Sequence, residues 1–246
     1  MPVDAPQLSL DLSRRPSGRG GWRPNAGRPK GRTSVAHVTR EDFAARYPQH
    51  ITLRLLDGLP SLRNGDAVRR IWDAIARAQR DDFRIVEFGV EPNHMHMMTE
   101  ADHRAAVSSG ITRFKMRMVA QLNDLFCYTG PWFGERYHSR VLETPREVKY
   151  ALRYVLLNWR HHLAERGERL PKDWIDPYSS AIWFDGWSEE PAIDAPWKQM
   201  LREMPPPTVP PQTWLLRVGW RRHGLIGVDE VPGRRRASNR CRRPRD

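Results

Sequence analysis

FRIVEFGVEPNHMHMMTE, residues 83–100, is the stretch whose reading decides the fold. β-branched and aromatic residues fill its first half, and Pro92, which has no N–H for a ladder, stops the run. A second apolar run begins at once with His94. Two such runs separated by Glu91, Pro92 and Asn93 read as a β-hairpin. Side chains alternate between the faces of a strand, so His94 and His96 share one surface while Met95 and Met97 share the other. Two imidazoles on one sheet face can hold a metal, but they supply at most half of a ligand set. Their meaning depends on what else the chain brings to that face.

Working outward, HITLRLL (50–56) alternates like a strand, and GDAVRRIWDAIARAQRDD (65–82) sets Val68, Ile71, Trp72, Ile75 and Ala78 at helical spacing. HRAAVSSGITRFKMRMVAQLNDLF (103–126) is a longer helix carrying Arg113, Lys115 and Arg117. YHSRVLE, residues 137–143, is a fourth strand, with His138 and Arg140 on one face. Thr144 then caps a last helix, Pro145 occupies its first turn, and Gly167 ends it. The order is β-α-β-β-α-β-α. Without the last helix this is a ferredoxin-like α+β arrangement, an antiparallel four-stranded sheet with two helices on one face and the first and third strands central. His94 and His96 are then expected mid-sheet.

In the last helix Val148, Leu152, Val155, Trp159 and Leu163 form one apolar stripe. Tyr154 and Asn158 lie off it, stacked one turn apart, with Tyr150 and His161 on the same flank. Presented toward the histidines, the Asn158 oxygen can be a third ligand, and an N/N/O set suits Mn²⁺ or Mg²⁺ in an open octahedral site. Such an ion polarises a scissile phosphate, and a tyrosine beside it can attack to give a phosphotyrosine that keeps the phosphodiester energy. Tyr150 keeps a two-tyrosine arrangement open. Tyr154 is favoured because it alone has Asn158 one turn on.

The HMH strand followed by YVLLN resembles the single-tyrosine HUH transposases, in which two histidines flank a bulky apolar residue. PNHMHMM, RYHSRVLETPREVKYALRYVLLN and DPYSSAIWFDGW, in that order, resemble the REP-associated tyrosine transposases over residues 46–187. The resemblance implies that His94 and His96 bind the metal, that Asn158 is the third ligand and that Tyr154 is the catalytic nucleophile. It also implies a substrate of single-stranded DNA folded into an imperfect hairpin, as in repetitive extragenic palindromes, and a segment 173–187 that wraps back onto the domain. Trp159 stands where many members have proline.

The formal net charge of +12 comes from arginine more than lysine, and the arginines cluster toward the ends of the chain, a pattern that attracts nucleic acid. The chain reads as a flexible basic arm (1–45), the catalytic domain (46–187) and a proline- and arginine-rich extension (188–246), with both ends expected to be removable, up to residue 40 and from residue 200, without unfolding the domain. Within the arm, NAGRPKGR resembles an AT-hook through Arg28. Arg28, Arg113, Lys115, Arg117 and Arg140 are the candidate DNA contacts. No run of about 18 apolar residues occurs and the N-terminus lacks signal-peptide order, so a bacterial cytoplasmic, nucleoid-associated protein is expected, as monomer or homodimer. Cys127 and Cys241 make neither a disulfide framework nor a zinc spacing. Two other readings stay open: a hairpin DNA-binding protein or repressor without catalysis, and a two-tyrosine replication initiator, which usually travels with a phosphate-loop helicase motif that this sequence lacks.

Overall fold

Four alternating segments pair into one sheet in a computed structural model that describes residues 42–134, 136–193 and 195–233. They are β1 (Gln49–Arg54), β2 (Phe83–Val90), β3 (His94–Ala101) and β4 (His138–Val141). Their order is β2-β3-β1-β4 and every pairing is antiparallel, so β1 and β3 are central as the ferredoxin-like topology requires. Three helices cover the sheet: α1 (Gly65–Ala76), α2 (Arg104–Phe126) and α3 (Pro145–Glu165). The α+β fold is therefore as expected. Arg28 of the arm, and the basic end with Cys241, lie outside the described residues.

The alternation of each strand builds two cores. Ile51, Leu53, Met95, Met97 and Phe88 pack with α1 and α2 on one face. Val86 and Met98 pack with Val148, Leu152 and Val155 of α3 on the other. A register shift between Ile85 and Glu87 keeps Phe83, Ile85, Phe88 and Val90 on the first of these faces. Gly89 is required where α3 crosses this strand, because a Cβ there would run into the carbonyl oxygen of Val155. α3 starts as its sequence dictates, with Thr144 and Glu147 forming a capping box and Pro145 in the first turn, and Gly167 at φ 81° follows its end. α1 stops at Ala76, short of the expected 82, because the chain turns so that Arg80 bridges to Phe83 and the Gln79 side chain accepts from the Ile85 N–H at 2.9 Å.

Segment 173–187 does wrap onto the domain, along the free edge of β2. The Val90 N–H donates to the Tyr178 carbonyl, and the Phe88 N–H donates to Ser180 Oγ, each at 2.9 Å. These bonds cover an edge that would otherwise invite another strand. Arg63 fixes the segment with a bidentate 2.8 Å pair to Asp176, its guanidinium lying 3.8 Å from the Trp159 ring centroid and 4.4 Å from that of Tyr178.

Apolar packing continues well past residue 187. α4 (Pro196–Glu203) and α5 (Trp214–Arg217) are short, yet Leu215, Leu216, Trp220, Ile226 and Val228 are buried in the α3 core. Buried Glu100 accepts the Gln212 and Thr213 N–H groups at 2.8 Å each and so ties this segment to β3. A cut at residue 200 would take these buried residues from that core, so the core extends beyond the 46–187 expected for the domain. These residues sit on a four-residue helix, a short 3-10 turn and irregular chain, too short for a helical period to mark them.

Candidate functional site

Register gathers the site. Thr52 lies opposite His96, Arg54 opposite His94, His50 opposite Arg140 and Thr52 opposite His138. Opposed residues in an antiparallel pair point the same way, so His50, Thr52, His94, His96, His138 and Arg140 share the face that α3 crosses. The Tyr154 ring packs edge-on to His96 at 4.9 Å between centroids and to His50 at 5.8 Å. His94 and His96 are 4.8 Å apart by the same measure.

Each side chain is held from behind. His96 Nδ1 is 3.1 Å from Thr52 Oγ1 and 3.2 Å from His50 Nε2, and His94 Nδ1 is 2.9 Å from Asn93 Oδ1. Protons on both Nδ1 atoms satisfy those contacts and leave each Nε2 with a lone pair. Asn158, only 1% exposed, donates through Nδ2 to Glu91 Oε1 at 3.1 Å and lies 3.2 Å from His162 Nε2.

Burial keeps the three histidines neutral. Burial, reinforced by neighbouring histidines and arginines, lowers His50 and His94 to about 4 and His96 to about 2. Burial also raises the Glu91 carboxyl to about 7, with Asp176 adding to it. The Tyr154 phenol moves up through burial and then the charge of Glu91, so it is protonated at neutral pH. Tyr150 moves down, chiefly through a 3.0 Å hydrogen bond from Arg146.

His96 Nε2 and Asn158 Oδ1 are buried without a hydrogen-bond partner. Buried lone pairs are costly unless a cation or a donor meets them. Together with His94 they supply the donor types of the N/N/O set expected from the sequence. Among the described residues no three His, Cys, Asp or Glu side chains are grouped to hold a metal, so the fit depends on the Asn158 amide.

The candidate DNA contacts divide. Arg140 is on the site face, exposed and paired with Glu147 at 2.8 Å. Arg113, Lys115 and Arg117 are on α2, across the sheet, and are not brought to the site. Arg113 and Arg117 line a surface hollow with Arg80, and Lys115 lies 4.4 Å from the Phe133 ring centroid. Sequence reasoning missed His50, Thr52 and Glu91. The alternation of His50 with Thr52 was a signal for the first two, whereas Glu91 looked like a turn residue.

Residues 62–155 match the family model of IS200-like transposases. This match agrees with the motif resemblance at the level of the IS200-like transposases. The match takes in His94, His96 and Tyr154 and ends before Asn158. A solved structure of a REP-associated tyrosine transposase bound to a REP hairpin is similar at 16% identity, over 73% of this chain and 93% of that one, with a TM-score of 0.47. No curated protein matches the chain. Among the described residues no helix is long and apolar enough to cross a membrane.

Proposed function

We propose that the protein is a metal-dependent endonuclease and strand transferase for single-stranded DNA folded into hairpins, working through a covalent 5′-phosphotyrosine on Tyr154. One observation carries this reading: the Tyr154 phenol packs 4.9 Å from a His96 ring whose outer nitrogen is buried and unpartnered. The family match and the arginine-rich ends support DNA as the substrate, and the sequence resemblance supports the hairpin.

In the step proposed, the Tyr154 oxygen forms a bond to phosphorus and the bond from phosphorus to the 3′ oxygen breaks. The phenol gives up its proton, and the departing 3′ oxygen takes one up to leave as a hydroxyl. His94, His96 and Asn158 would hold Mg²⁺ or Mn²⁺, which polarises the scissile phosphate. His50 and Thr52 orient His96, and the edge-on packing of His50 and His96 fixes where the phenol points. Attack by another strand's 3′-hydroxyl on the phosphotyrosine reverses the step and rejoins DNA without an outside energy source.

The test is incubation with hairpin oligonucleotides and Mn²⁺, followed by a denaturing gel. A protein–DNA adduct that withstands denaturation is expected, absent with Tyr154→Phe and absent in excess chelator. Tight hairpin binding with no adduct would replace this reading with that of a DNA-binding protein.

A further inference from the structure

Asn158 is an amide, and an amide is a cation ligand only if its oxygen rather than its nitrogen faces the ion. Its two N–H bonds have two acceptors in reach. Glu91 Oε1 is 3.1 Å away, contributed by the turn between β2 and β3, and His162 Nε2 is 3.2 Å away, one helical turn along α3. His162 can accept because Glu165 Oε2 stands 3.5 Å from its Nδ1 and favours the proton there. Rotating the amide by half a turn would set Oδ1 against two lone pairs. The orientation seen satisfies Nδ2 fully and leaves Oδ1 buried and bare.

We propose that Glu91 and the His162–Glu165 pair are positioning residues that lock the Asn158 amide with its oxygen toward His94 and His96, making a neutral side chain a competent third ligand. The proposal rests on the reading of this site as a metal centre. Among the described residues Glu91 is not grouped with the two histidines as a metal-holding set, and its Oε2 is buried without a partner. Its part is to commit one oxygen to the amide nitrogen. Groups behind the ligands of a metal site commonly act this way, and their loss costs about 10- to 100-fold in metal affinity.

The test is Mn²⁺ affinity of the full chain without DNA, by titration calorimetry. Glu91→Met and His162→Leu should each weaken binding about tenfold or more, whereas Glu91→Gln, whose amide oxygen still accepts, should keep most of it. An Asn158→Asp side chain offers oxygen on both sides and needs no lock. Adding Glu91→Met to it should therefore cost nothing, and should help by removing a facing carboxylate. His162 is partly exposed, so His162→Leu carries the test if Glu91→Met does not fold. Wild-type affinity in both Glu91→Met and His162→Leu, with binding abolished by His96→Ala, overturns the lock and leaves the metal centre standing. A wild-type chain that takes up no Mn²⁺ overturns both.

Discussion

Tyr150 and Tyr154 stand one turn apart on α3, and their surroundings push them in opposite directions. Tyr150 is 45% exposed and its phenol is made more acidic by Arg146, so by acidity alone it is the better nucleophile. Tyr154 is half-buried and harder to ionise, yet it is the one that packs on His96 and His50. A nucleophile works only within reach of the activated phosphate, so position outweighs acidity. Tyr150→Phe is accordingly expected to keep adduct formation within a few-fold of wild type, while Tyr154→Phe brings it below detection on the same gel. His50→Ala should weaken Mn²⁺ binding by about tenfold, because His96 then lacks one of the two groups that orient it.

Among the elements, the packing of α3 on β2 sets the depth of the site. Because Gly89 lets the Val155 carbonyl sit on the strand, Gly89→Ala must push the helix away, with an expected cost of about 1–3 kcal/mol in chemical denaturation and a loss of adduct yield. The same strand carries Glu87, which accepts from Ser180 Oγ at 2.5 Å and whose pKa burial raises from 4.5 to about 8. Between those values the folded chain keeps a proton that the unfolded chain gives up. Stability from this group is thus full below pH 4.5, falls as pH rises, and has been lost once pH passes about 8. Glu87→Gln keeps the acceptor without the charge, so its melting temperature is expected to vary less between pH 6 and 9. The gain over wild type at the alkaline end should be of order 1 kcal/mol.

For the whole molecule, charge and fold separate. Residues 1–41 hold eight basic and three acidic side chains, and residues 234–246 hold seven and one. These two ends together carry +11 of the +12, and what lies between them is close to neutral. Removing both ends at those boundaries should leave the melting transition in place, whereas a cut at residue 200, which takes Leu215, Leu216 and Trp220 from the α3 core, should unfold the domain. The end-trimmed protein should bind hairpin DNA more weakly. For every phosphate that the ends neutralise, its plot of log K against log[salt] should flatten by about 0.7 on single strands and about 0.9 on duplex. An unchanged slope in a salt series would assign DNA binding to the core surface, with Arg140 on the site face and Arg113 and Arg117 across the sheet as the first to mutate.

Local periodicity was enough for much of this. The alternation of 83–100 determined a hairpin and placed His94 and His96 on one face, because a strand's side-chain period is two whatever it pairs with. Thr144, Pro145 and Gly167 bounded α3 because caps act within a turn, and the order of elements limited the sheet to the ferredoxin-like arrangement. Only the tertiary structure decided what stands behind the site. His50 and Thr52 reach His96 across 46 and 44 residues through the register of β1 on β3, and Glu91 reaches Asn158 across 67. It also set the basic side of α2 across the sheet from the histidines and carried the core to Val228. These outcomes rest on which distant segments share hydrogen bonds and apolar surface, and a one-dimensional pattern of residues does not encode a register between strands until the sheet is formed.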